Sequence, residues 1–91
     1  MNAVPVVDAI RHALQPLEPQ HLAVLDDSAA HAGHASAAGK GHFRLTVVSM
    51  SFAGLKPLQR HRKVNDLLAP LFETHIHALT MRTLTPEEFG S

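Results

Sequence analysis

Eight histidines in a 91-residue chain that has no cysteine set the chemistry open to it. Imidazole nitrogen is the commonest protein ligand for transition metals, and here no thiolate competes with it. Two short spacings stand out, His31-x-x-His34 and His75-x-His77. In an extended strand residues two apart share a face, so His75 and His77 are expected side by side, with Ile76 and Ala78 turned the other way. Two readings of His77 stand together: a partly buried histidine that caps a sheet edge through a hydrogen bond, or a metal ligand. His31 and His34 are either ligands or solvated loop positions. Combined, these histidines would supply a tetrahedral zinc set, although structural zinc sites usually include cysteine.

A second cluster is cationic. Lys56, Arg60, Arg62 and Lys63, with His61 among them, stand at the start of an amphipathic pattern. Such residues can contact phosphates, helped by the dipole of a helix N-terminus. They can equally meet the carboxylates of an acidic partner, or simply stand in water. The patch has no aromatic residues on which bases could stack, and this weakens the case for nucleic acid. His61, flanked by two arginines, reads as a packing residue rather than a catalyst. No Ser/His/Asp arrangement, paired-carboxylate motif or Gly-rich phosphate loop points to an enzyme or to a small-molecule substrate.

Net charge is zero, but it is unevenly spread. The segment from Ser28 to Asn65 holds six Lys or Arg and no acid, about +6, while all eight carboxylates lie in the flanks. A basic centre of this kind attracts an anionic partner locally. The length fits one domain, and 45% hydrophobic residues suffice for a core. That core must be mostly aliphatic, because there are four Phe and no Trp or Tyr. No apolar run approaches the ~18 residues that span a bilayer. The N-terminus lacks a basic signal-peptide region, and a chain without cysteine needs no oxidising compartment, so a cytoplasmic protein is expected.

These residues need elements to position them. Val4, Val7, Ile10, Leu14 and Leu17 form one helical stripe, with Pro5 tolerated in its first turn and Pro16 and Pro19 closing it. His21 to Asp27 reads as a first strand and His42 to Met50, with its alternating Phe43, Leu45 and Val47, as a second. Residues 28–41, rich in Gly, Ala and Ser, read as a flexible loop that makes these strands an antiparallel hairpin. Leu58 to Phe72 is a helix with an apolar face of Val64, Leu67, Leu68 and Leu71. Arg60, Lys63 and Asp66 are expected to face water, and Pro70 to distort the helix or end it early. A short extra turn fits near Leu55–Gln59. His75 to Leu84 is the third strand, and Thr85-Pro86-Glu87-Glu88 is a helix start with Thr as N-cap. The order α-β-β-α-β-α predicts an α/β (α+β) single domain. It has a three-stranded mixed sheet with helices on one face, and the third strand is parallel to its neighbour after the helical crossover.

The segment FAGLKPLQRHRKVND from Phe52 to Asp66 resembles the signature of the BolA family, F-x-G-x-x-x-(V/L)-x-R-H-R-x-V-(N/Y). LAVLDDSAAHAGH and IHALTMRTLTPEEF resemble two further blocks of that family, in the same order, with Phe89 where the family commonly has Trp. The resemblance covers residues 1–91 almost throughout and implies a BolA-like, type II KH-like fold. The KH likeness is topological, since the region of Gly54 lacks a G-x-x-G loop. It further implies a non-enzymatic adaptor that binds a monothiol glutaredoxin and shares a 2Fe–2S cluster with it, in iron–sulfur trafficking or iron and redox regulation. By the same resemblance, His77 matches the family histidine tied to iron, His31 matches the loop ligand, and His34 is its fallback. The remaining ligands would be the glutaredoxin cysteine and glutathione, and the chain alone would hold no cluster. Some bacterial members are described as DNA-binding transcriptional regulators of stress response and cell shape. That alternative would work through Lys56, Arg60, Arg62 and Lys63.

Overall fold

The central strand of the sheet is β2 (Gly41–Val48), whose alternation buries Phe43, Leu45 and Val47 on one face and leaves Arg44 on the other. The structure, a computed structural model, describes residues 6–27 and 41–90. On one side of β2 lies β1 (His21–Asp26), antiparallel, with Leu22 opposite Val47 and Val24 opposite Leu45. On the other lies β3 (Ile76–Leu84), parallel, giving the mixed order β1-β2-β3. The expected topology and strand directions are those observed.

Two helices cover the apolar face. The first, α1 (Val6–Ala13), buries Ile10, and Leu14 and Leu17 continue its stripe through a short 3-10 turn at Gln15–Leu17. Pro16 therefore tightens the end of the element rather than stopping it outright. The second, α2 (Pro57–Thr74), places Val64 and Leu68 against Phe43, Leu45, Val47, Phe52 and Ile76. Pro57 stands in its first turn, where a missing N–H is harmless. The helix was expected to distort or end early at Pro70, yet it runs on to Thr74. Pro70 removes one backbone donor, while Leu71 and Phe72, packed against the core, hold the following turn. The additional turn lies at Met50–Phe52, before the position anticipated, and delivers Phe52 into the core with no exposed surface. Gly54, at φ +78°, then reverses the chain into α2.

Buried polar groups here have partners. The Ser49 hydroxyl donates to the Leu17 carbonyl and accepts from the Ser51 N–H at 3.0 Å, tying the link after β2 to the end of the first helical segment. The chain closes with α3 (Pro86–Phe89), where Thr85 is the N-cap the sequence indicated and, in addition, forms a reciprocal capping box with Glu88.

Candidate functional site

A parallel ladder requires one residue per step on each strand, and β3 breaks that rule once. Gly41 pairs with Ile76 but His42 pairs with Ala78, so His77 is an extra residue, a bulge at the start of β3. The bulge resets the alternation: Ile76 points to the core, and so do Leu79 and Met81 beyond it. His77 itself is exposed on an edge strand. Its ring lies 5.3 Å from that of His42, centroid to centroid, with the planes tilted by 54°.

His75 does not join them as the two-residue spacing predicted. It is the C-cap of α2, with φ −130° and ψ −23°, and its Nδ1 lies 2.6 Å from the Thr74 hydroxyl. The helix extends two residues further than its apolar pattern, so His75 belongs to the helix end and only His77 to the strand. His75-x-His77 is therefore not a chelating pair on one face. His31 and His34 lie outside the described residues, as do Val4, Pro5 and nearly all of the 28–41 loop. Among the described residues no three His, Asp or Glu side chains converge as a metal site.

Beside His77 runs a groove of about 520 Å³ between α2 and β3. His61, Asn65 and Phe72 line it from the helix, and Thr80 and Met81 from the strand. His61 is half-buried there, consistent with packing.

The four cations at the start of α2 divide. Lys56, Arg62 and Lys63 are exposed. Arg60, expected in water, is turned inward, and its side chain keeps only 11% of its surface exposed. Its guanidinium donates to the Leu55 carbonyl at 2.9 Å and the Thr83 carbonyl at 3.0 Å. It also makes a two-pronged bond to the Glu88 carboxylate at 2.7 and 3.2 Å and lies 6.0 Å from the Phe52 ring centre. Arg60 thus fastens α3 to the end of β3 and the head of α2. The Arg60 bond, followed by the Thr85 backbone N–H, pulls the Glu88 pKa down from its ordinary 4.5 to about 2. On the far side of α3 the Phe89 ring stacks on His21 at 4.9 Å. A second basic residue of the central segment, Arg44, is paired with Asp27 at 3.1 Å.

Sequence reasoning missed the bulge, the proximity of His42, and the inward turn of Arg60. The first left a trace: the apolar positions Ile76, Leu79 and Met81 are spaced three and then two, a phase break within a strand pattern. Arg60 left none, since it stands among similar cations and its partners lie 23 and 28 residues away.

The family profile described as BolA-like protein matches residues 13–88. A Vibrio cholerae protein named DNA-binding transcriptional regulator BolA is 43% identical over 72 residues, 79% of this chain and 66% of that one. The chain therefore spans just under two thirds of that relative's length. Among solved structures, BolA1 from Arabidopsis thaliana superposes with a TM-score of 0.81 at 37% identity, covering 96% of this chain and 98% of the other. The BolA domain of SufE1 from the same plant gives 0.82 at 36%, covering 96% and 99%. Among the described residues no helix is long and apolar enough to cross a membrane.

Proposed function

Because the chain belongs to the BolA-like family, we propose that it acts as a non-enzymatic cytoplasmic adaptor that binds a monothiol glutaredoxin and shares a 2Fe–2S cluster with it. The observation that carries this reading is His77, an imidazole raised on a bulge at an open sheet edge in a chain without cysteine. Imidazole ligation suits one iron of such a cluster, and it raises the potential relative to ligation by thiolates alone. His77 would hold the cluster from this side, with a ligand from the segment of His31 and His34, and the thiolates would come from the glutaredoxin and its glutathione. The groove beside His77 gives a partner a surface to cover, with His61 and Asn65 on its helical wall. That a BolA domain also occurs in SufE1 fits a module that works attached to another protein.

Mixing the chain with a monothiol glutaredoxin during cluster reconstitution should give a visible circular dichroism spectrum distinct from that of the glutaredoxin alone. His77→Ala should abolish that spectrum while the far-ultraviolet spectrum stays native, and His12→Ala should change neither. Absence of co-elution together with an unchanged visible spectrum would sink the reading.

A second reading, DNA binding, draws on the name of the Vibrio relative. On this chain it would use Lys56, Arg62 and Lys63, the exposed cations at the head of α2.

A further inference from the structure

Only one flank of α2 faces β3 and His77; the other lies against the first helical segment. There Leu67 and Leu71 stand across from Ala9 and Ala13, while Lys63 and Asp66 stand across from Pro16 and Leu17. The two segments therefore run in opposite directions. Between them lies a trough of about 630 Å³ with a narrower continuation of about 260 Å³, and Leu67 lines both. Ala9 and Ala13, one turn apart, are too short to fill the wide part, whose floor is Leu67 and Leu71 packed against the core. Pro70 stands exposed on its wall. It has no N–H to give the Asp66 carbonyl, four residues back in the helix, so it weakens α2 while its ring adds surface to the trough. Departures of this kind from local helix rules concentrate at functional sites.

We propose that this trough docks an amphipathic helix of a protein partner, with aliphatic side chains three or four residues apart and a Lys or Arg over Asp8. The charges favour a cation at the wide end. Asp8 lines it, and among the described residues no Lys or Arg does. Arg11, on the same helix, is turned away, its Nη1 donating to the Leu22 carbonyl at 3.0 Å. The Asp66 carbonyl, which Pro70 cannot satisfy, is a second acceptor. At the narrow end Lys63 is offset by Asp66, three residues along the same helix. Size decides between a single helix and a second copy of the chain. From Ala9 to Leu17 the trough runs about 12 Å, and one helix is about 10 Å wide. That footprint, on the order of 100 Å², is far below the roughly 800 Å² per partner of a stable dimer, and it suits the helix-in-groove mode. Because α2 separates the trough from the groove at His77, a helix bound here leaves His77 uncovered.

The test needs neither cluster nor glutaredoxin, so its failure and that of the adaptor reading are separable. The probe is a library of side-chain-stapled helical peptides about twelve residues, or three turns, long. They carry Leu or Met at the spaced positions and Lys, Arg, Glu or Gln on the flanks. Fluorescence polarisation with the complete chain should favour members with Lys or Arg at the end that meets Asp8. Amide shifts on binding should gather at Ala9, Ala13, Leu67 and Leu71 and leave His77 unmoved. Ala9→Gln, which fills the trough with a good helix former, should weaken binding about tenfold or more. Asp8→Lys, at an exposed position, should weaken the cationic peptides at least about threefold and turn the preference toward Glu. His77→Ala should leave the affinity within about twofold. No binding in the millimolar range, a preference of the wild type for Glu, or shifts centred on the groove of His61 and His77 would overturn the proposal. So would a concentration-dependent dimer that shifts the same α1 and α2 residues, since it would give this face to a second copy. The wild-type shift map decides the matter even if a substitution disturbs the fold.

Discussion

Arg60 is the residue whose environment departs furthest from its neighbourhood in the sequence. It sits in a run of cations, but its fork is enclosed by the Leu55 and Thr83 carbonyls and the Glu88 carboxylate. Removing it leaves these acceptors without their charged donor, so Arg60→Ala should cost about 2 kcal/mol in urea unfolding. Lys63→Ala, on the exposed side of the same helix, should stay within about 0.5 kcal/mol. Glu88 makes the partner prediction in acid. Its folded pKa of about 2 lies below the ordinary 4.5, so the unfolded chain takes up the proton first as pH falls. The stability it contributes is complete above about pH 4.5 and is lost progressively toward pH 2. The protection of the Phe89 and Gly90 amides, taken relative to the intrinsic exchange rate at each pH, should fall over that window in the wild type, whereas Glu88→Gln should already protect them less at neutral pH and change less across it. No local pattern could have announced this ion pair, because the chain must fold before residues 60 and 88 meet.

At the scale of elements, what was legible is what depends on short-range periodicity. The alternation of β2, the N-cap at Thr85, and the stripe of α1 each express their structure within a few residues. What was not legible depends on which competing local effect wins. Pro70 should break a helix, but packing of Leu68, Leu71 and Phe72 carries α2 across it. Pro70→Ala restores a backbone donor while loosening the unfolded chain slightly, so it should stabilise the protein by about 2 kcal/mol. The measurement is a shift of the urea midpoint at unchanged slope. The same continuation of α2 separates His75 from His77, which the two-residue spacing alone had placed together.

The whole molecule carries less free positive charge than its sequence implies. Arg44 and Arg60, both in the basic segment, are neutralised by Asp27 and Glu88 from the acidic flanks. The field at the head of α2 therefore rests on Lys56, Arg62 and Lys63. If DNA binds through these three, the logarithm of the association constant should fall against the logarithm of salt concentration with a slope of about −3. Arg62→Ala with Lys63→Ala should bring it to about −1 and leave any cluster spectrum that depends on His77 intact. A steeper wild-type slope would mean that further cations, outside this patch, take part.

The bulge at position 77 also bears on how such a chain can change over generations. With His77 deleted, Ile76 would be followed by Ala78 and Leu79, and inward and outward positions would alternate without a break along the whole of β3. The deletion variant should keep a cooperative melt, whereas deleting Thr80 should reverse Met81 and Thr83 to the wrong face and unfold the chain. Loss or gain of a single codon can thus remove or install this imidazole while the core residues keep their places, so the scaffold and its exposed imidazole are separately heritable.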